Sequence, residues 1–235
     1  PVRESADFLV IGSGVAGLRA AAALAAHGSV LVLTKAGEPA ESNTGYAQGG
    51  IAAAVGDDDS PALHAHDTEA AGDGLCDAEA VRVLVTDGPA YVRELAAWGV
   101  PWSRVNRGDR QVIINGQKVT LTERDEAHGL VAQRDFGGTK KWRTCYVSDG
   151  TGHAMLFTVS DRAIADSIPV HERMEAIALI HEGGRCYGAV VRNLITGELS
   201  AHLAKATVIA TGGAGRLYRV TTNAVICEGI GSALA

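Results

Sequence analysis

Several common signatures are missing from this chain of 235 residues. No CxxC pair joins Cys76, Cys145, Cys186 or Cys227, which excludes a zinc knuckle and a thioredoxin-type motif. No secretory signal is visible, so the expectation is four reduced thiols in a cytoplasmic protein rather than a disulfide framework. No apolar run reaches the roughly 20 residues of a membrane helix, which argues against direct membrane insertion. The net charge is −6, whereas a nucleic-acid partner calls for a basic face. Neither Ser13 nor Ser42 sits in a nucleophile elbow, so hydrolase chemistry has no support. Repeats and low-complexity segments are absent, and only 3 Trp, 5 Tyr and 3 Phe occur.

What the chain does have is apolar residues throughout, 46% of the total, and 29 glycines. The first argues for a sizeable folded core. The second, without a collagen period, marks places where backbone approaches something closely. The chain opens on Pro1 and stops in a helix-like run at Ala235, which reads as a piece of a longer protein.

Asp7 to Ile11 reads as a buried strand, followed at once by a glycine-rich turn over Gly12, Ser13, Gly14, Ala16 and Gly17. An alanine-rich helical run continues to about His27, Gly28 stops it, and Ser29 to Leu33 forms a second strand. A GxGxxG between a strand and a helix is the context a dinucleotide site requires. Gly12 permits the tight turn, Gly14 lets backbone approach a pyrophosphate, and Gly17 lets the helix pack on the strand. The helix N-terminus adds N–H donors and partial positive charge. An acid ending the second strand would hold the ribose of NAD. Thr34 and Lys35 stand there instead, which favours a different adenine dinucleotide.

Thr34 to Asp59 reads as loop. Asp77 is placed as the N-cap of a helix with Val81, Leu84 and Val85 inward. A second helix follows Pro89, with Val92, Leu95 and Trp98 inward and Gly99 as its stop. Residues 103–143 are charged and irregular, Asp149 to Ala165 is helical, and an antiparallel meander follows. Its strands are Arg173 to His181, Arg185 to Leu194, Glu198 to Leu203 and Ala206 to Ala210. The fold class is therefore α/β: a Rossmann-like parallel sheet plus an antiparallel β-meander, in one nucleotide-binding domain over 1–235.

Two clusters bear on chemistry. His64 and His66 with Asp67 have the i, i+2 spacing of a strand or loop, and no further Cys/His cluster completes a metal site, so no metal is expected. Lys140, Lys141 and Arg143 form a basic cluster, either a solvated loop or a device that steers a dianion. His153 reads as a structural hydrogen-bonding residue.

The stretch Glu41 to Ala53 carries a recognisable pattern. Together with Gly12–Gly17, Thr34-Lys35 and Ala210 to Gly213, it resembles the flavoprotein family of fumarate reductase, succinate dehydrogenase and L-aspartate oxidase. The resemblance runs from about Asp7 to the last residue and implies an extended FAD. Ser42, Asn43 and Thr44 fall where the family contacts the cofactor, and Ala47, Gln48, Gly49 and Gly50 pass beside the isoalloxazine ring. Ala176 falls on the adenine side, Thr211 and Gly212 at a second close approach, and Thr221 to Asn223 in a family stretch after it. Residues 103–143 become a substrate-side loop region, an excursion towards a capping domain that is incomplete here.

Residues 29–80 look most like L-aspartate oxidase, and residues 94–235 most like the flavoprotein subunit of a quinol:fumarate reductase. The stretch Arg134 to Gly138 favours the latter, because Phe136 beside Gly137 and Gly138 suits a plain dicarboxylate. An amino-acid substrate wants a counter-charge at that place. Glu126, Ala127 and His128 mimic the aspartate-oxidase pattern but lie on the wrong side of an insertion. Asn43 stands where membrane-bound fumarate reductases carry a flavin-linking histidine, so FAD is expected to be non-covalent. The resemblance also implies partners for quinol-linked members, an iron–sulfur subunit and through it a membrane anchor, on the inner face of the membrane. The proton-donating arginine and most of the carboxylate clamp fall beyond residue 235, so no catalytic residue is assigned. The alternatives are L-aspartate oxidase and a non-catalytic FAD-binding module.

Overall fold

A computed structural model describes residues 3–38, 41–105, 110–114, 117–121, 130–136 and 141–235. In chain order the elements are β1 (Arg3–Ile11), α1 (Val15–Leu24), β2 (Val30–Leu33), α2 (Asn43–Tyr46), β3 (Ile51–Ala52), α3 (Pro61–Ala71) and α4 (Ala78–Trp98). There follow β4 (Arg104–Val105), β5 (Arg110–Ile114), β6 (Gln117–Leu121), β7 (Leu130–Val131), β8 (Gln133–Arg134), β9 (Thr144–Cys145) and α5 (Thr151–Ala165). The chain closes with β10 (Val170–His171), β11 (Met174–Glu182), β12 (Arg185–Asn193), β13 (Leu199–Ile209) and α6 (Ile230–Leu234). Two compact units result: Pro1–Ala47 with Met155–Ala235, and Gln48–Ala154.

The first unit is built on a six-stranded sheet of order β10-β2-β1-β13-β12-β11. β1 runs parallel to β2 on one side and to β13 on the other. All four residues of β2 are buried, the unbroken apolar run of a strand covered on both faces. The meander is continuous with the parallel part, because β13 pairs parallel to β1 and antiparallel to β12. Leu9, Ile11, Leu31 and Leu33 from the parallel strands share a core cluster with Ala176, Ala189, Val191 and Ala204 from the meander.

The second unit holds α3 and α4, a three-stranded sheet β3-β9-β8 and the pairs β4-β7 and β5-β6. Ser60 caps α3 by accepting from the Leu63 N–H at 3.1 Å. Asp77 caps α4 by accepting from the N–H groups of Glu79 and Ala80, and Gly99 ends that helix in the left-handed conformation. The Asp77 and Gly99 caps stand where the sequence places them.

Four expectations need correction. Pro89 does not divide two helices; α4 runs through it. The residue before a proline is restrained partly by its own Cβ, and here that residue is Gly88. Leu84 is mostly exposed, while Val81 and Val85 are buried. Glu198 to Ala210 is not two strands, because β13 is continuous from Leu199 to Ile209 with both neighbours paired along it. His64 and His66 lie on α3 rather than on a strand or loop, Ser60 and Pro61 having opened a helix there.

Candidate functional site

β1 ends between two parallel neighbours, and in an open α/β sheet ligands bind outside such carboxyl ends. The Gly12 N–H donates to the Leu33 carbonyl at 2.8 Å, and Gly12 has φ = +118°. A Cβ there would lie 2.2 Å from the Ala210 carbonyl oxygen, and one at Gly17 would lie 1.9 Å from the Gly12 carbonyl oxygen. Only glycine at both positions lets α1 start this close to the ends of β1 and β13. At Gly14 a Cβ would meet only the Thr44 hydroxyl oxygen, at 3.3 Å.

The cavity at this switch point is lined by eleven of the expected residues: Gly12, Ser13, Gly14, Thr34, Lys35, Ser42, Asn43, Thr44, Ala176, Thr211 and Gly212. They are contributed by five separated stretches of the first unit. Gly17 is buried in α1, while Ala16 is not; neither they nor Ala47 line the cavity. Ile11, Leu33, Met174, Glu175, Ile226, Cys227 and Ile230 line it too. For Ile11, Leu33 and Met174 the sequence carried only strand hydrophobicity, for Ile226 and Cys227 adjacency to Thr221 to Asn223, and for Glu175 and Ile230 no signal.

Local chemistry fixes the walls. Ser42 caps α2 by accepting from the Gly45 N–H at 3.1 Å, which presents Asn43 and Thr44 from its first turn. The Thr44 hydroxyl accepts from the Val15 N–H at 3.3 Å. Lys35 Nζ donates to a Glu228 carboxylate oxygen at 2.6 Å, so the lysine at the end of β2 is ion-paired. Asn43 Oδ1 accepts from the Ala224 N–H at 3.1 Å and from Asn223 Nδ2 at 3.4 Å.

In the second unit the Gln48-Gly49-Gly50 strip is held by its carbonyls. Arg134 Nε donates to the Gly49 carbonyl at 3.1 Å, and its Nη2 to the Gln48 carbonyl at 3.1 Å. The guanidinium carbon of Arg134 lies 4.5 Å from the centroid of the Tyr146 ring, an attractive stacking geometry. The Thr151 hydroxyl donates to the Gln48 carbonyl at 3.3 Å and accepts from the Val147 N–H at 2.9 Å. The Phe136 ring covers Gly49: a Cβ there would fall 2.8 Å from Phe136 Cζ. Phe136 is nonetheless half-exposed. Gly137 and Gly138 lie outside the described residues, as do Glu126, Ala127, His128 and Lys140. Sequence reasoning missed Arg134 and Thr151 as the residues that position the strip.

The described members of the basic cluster, Lys141 and Arg143, are ion-paired within the second unit rather than free in a solvated loop or free to steer a dianion. Arg143 is 1% exposed and meets Asp59 through two bonds, Nε to Oδ2 at 2.8 Å and Nη2 to Oδ1 at 2.9 Å. Its Nη2 also lies 3.0 Å from Asp67 Oδ2; that contact lacks hydrogen-bond alignment and is an ion pair only. Lys141 pairs with Asp58 at 3.0 Å. The guanidinium is consumed by buried carboxylates and holds β9 to α3. Burial, then the charge of Arg143, pushes the nearby His64 imidazole below its ordinary range.

Fold and cavity together define a class: an α/β domain that holds a dinucleotide across a glycine-built turn at the end of its first strand. A family model described as FAD binding domain matches residues 7–235, and the chain belongs to that family. It is 47% identical over 234 residues to the fumarate reductase flavoprotein subunit of Helicobacter pylori, covering 97% of this chain and 33% of that protein. It is 38% identical to the chloroplastic L-aspartate oxidase of Arabidopsis thaliana, again over 97% of this chain and 33% of the relative. A solved quinol fumarate reductase of E. coli superposes with a TM-score of 0.82 at 35% identity, over 97% of this chain and 36% of its own. The chain thus spans about a third of the length of these relatives. The structure describes no helix long and apolar enough to cross a membrane.

Proposed function

We propose that this chain is the FAD-holding part of a flavin-dependent oxidoreductase that interconverts fumarate and succinate. The observation that carries the substrate side of this reading is Phe136 packed against Gly49, an apolar ring beside the strip that the family resemblance sets near the flavin. FAD, when bound, supplies hydride acceptance and donation at its ring. The chain's own residues do the holding. The first turn of α1 leaves N–H groups without intrahelical partners, and with the helix dipole these suit a pyrophosphate. Gly12 and Gly17 let α1 start tight against the ends of β1 and β13, and Gly14 leaves the turn free of a side chain so that a phosphate can approach. The Gln48 and Gly49 carbonyls, engaged by Arg134 and Thr151, fix the strip's peptide planes. Phe136 covers Gly49 and offers no charge to repel a dicarboxylate.

Asn43 has no imidazole nitrogen to alkylate, so the cofactor is held without a covalent bond, and Ala16 and Ala47 are assigned to its surroundings with Gln48, Gly49 and Gly50. An unlinked flavin has a lower potential, which handicaps succinate oxidation more than fumarate reduction. Residues 103–143 form the substrate-side loop region, with Gly137 and Gly138 beside Phe136. An iron–sulfur subunit and a membrane anchor are the partners of the quinol-linked form, with this chain on the cytoplasmic side. Catalytic groups are assigned outside residues 1–235.

A second reading, L-aspartate oxidase, rests on the likeness of residues 29–80 and on the 38% identical plant relative. Purified protein is expected to be yellow, with a flavin absorbance spectrum, and the colour is expected to leave the pellet on acid precipitation. A colourless protein that takes up no added FAD would sink the proposal, and colour retained in the denatured pellet would sink its non-covalent part. Reduction of fumarate in preference to oxidation of aspartate, measured in the whole enzyme, separates the two substrates.

A further inference from the structure

Beyond β13 the chain forms a strap that leaves the sheet and returns to it. Ala210, Thr211 and Gly212 line the cavity on the way out, and Ile226, Cys227 and Ile230 line it on the way back. The strap is closed at its root, where the Gly229 N–H donates to the Gly213 carbonyl at 3.1 Å and the Arg216 N–H to the Cys227 carbonyl at 2.9 Å. Its tip is a local turn in which the Asn223 N–H donates to the Thr221 hydroxyl oxygen at 3.1 Å.

Two side chains from the opposite wall reach this strap. Lys35 binds Glu228 near the root at 2.6 Å. Asn43, on the first turn of α2, binds the tip, accepting from Ala224 N–H and Asn223 Nδ2 across 181 and 180 positions of sequence. Asn43 and Lys35 both line the cavity. One wall is thus tied to the other twice, by an ion pair and by a neutral hydrogen-bonded contact.

We propose that Asn43 is the latch of this cavity: its bonds to the strap tip set the rate at which a bound dinucleotide leaves. The inference rests on the FAD reading above. A covalent link makes such a latch unnecessary, and here the side chain that cannot bond the flavin bonds the strap whose two ends line the cavity. Each hydrogen bond contributes modestly in net terms because water competes for the opened groups. Two bonds sharing one acceptor therefore correspond to roughly a tenfold change in release rate. The contact is neutral, so its effect persists at high salt, whereas that of Lys35 with Glu228 is screened.

The test measures release of FAD from the loaded protein into excess flavin scavenger, by recovery of flavin fluorescence, together with hydrogen exchange at the Ala224 amide. Asn43→Ala is expected to release FAD about tenfold faster at low and at high salt and to deprotect the Ala224 amide. Asn223→Ala, at a residue outside the cavity lining, is expected to speed release alone but to add nothing in the Asn43→Ala background. Should Asn43→Ala fold poorly, Asn223→Ala must still speed release, or the latch is wrong. Release at the wild-type rate from Asn43→Ala overturns the latch while leaving the FAD reading intact, and so do fully additive effects of the two substitutions. A wild-type chain that takes up no FAD overturns both.

Discussion

Arg143 and Asp59 meet side-on in the interior of the second unit, guanidinium edge to carboxylate edge, with both side chains 1% exposed. Eighty-four positions separate them in sequence. The pair joins β9 to the segment that opens α3, and Asp67 on that helix supplies a second carboxylate.

Removing one member of such a pair leaves an uncompensated buried charge. Arg143→Ala should destabilise the fold by about 3–5 kcal/mol, measured as a shift of the urea midpoint. Arg143→Lys should recover little of it, because an ammonium cannot match the two-bond geometry. Full stability of either variant would show that the ion pair is not structural.

The turn under α1 is a second sensitive point. Gly17→Ala places a methyl group 1.9 Å from the Gly12 carbonyl oxygen, and backbone at both ends leaves it nowhere to go. Overpacking of this kind costs about 1–3 kcal/mol or more, and FAD uptake should fall with it. Unchanged uptake and melting temperature would mean that the turn is not the cradle.

A buried imidazole predicts a pH dependence. His202 is 1% exposed; its Nε2 lies 3.0 Å from the Ser200 hydroxyl, while Nδ1 has no hydrogen-bond partner. Burial lowers its pKa first; Glu4 opposes that and His171 adds to it. The native state therefore stays neutral where the unfolded chain, with an ordinary pKa of about 6.5, already binds a proton. Stability should fall as pH drops below about 6.5 and level off below the lowered native value. His202→Asn should flatten that part of the curve in denaturant titrations from neutral to acid pH; an identical slope in wild type and variant would discard His202 as its source.

Phe136 tests the substrate. In the whole enzyme, Phe136→Glu sets a carboxylate beside Gly49, where it repels a dicarboxylate and attracts an ammonium. The ratio of kcat/KM for fumarate to that for aspartate should drop by about tenfold or more. No change in the ratio would remove Phe136 from the specificity argument.

The β-α-β unit, the glycine turn and the caps at Asp77 and Gly99 were legible because each is a local demand. A φ of +118° at Gly12 or a side chain accepting from the N–H groups two and three residues on involves neighbours in sequence. The family pattern over residues 41–53 was legible for a related reason, since it runs along one continuous stretch. Pro89 misled because a proline usually breaks a helix locally, whereas α4 is held by its buried face of Val81, Val85, Val92 and Leu95. The continuity of β13 is not legible locally because its register with β1 and β12 is set by partners far away.

The sequence by itself determined that this chain folds as an α/β dinucleotide domain with a glycine-built turn where backbone packs closely on backbone. Only the tertiary structure decided what its charges and amides do. Arg143 read as part of a basic loop until Asp59 and Asp67 were brought around it, and Lys35 meets Glu228 from 193 positions away. Asn43 looked like a mere absence of histidine until the strap tip reached it. Conformational preference acts between neighbours and is written in local sequence. The fate of a charge or an amide depends on which distant groups share its surroundings and on how much water remains there.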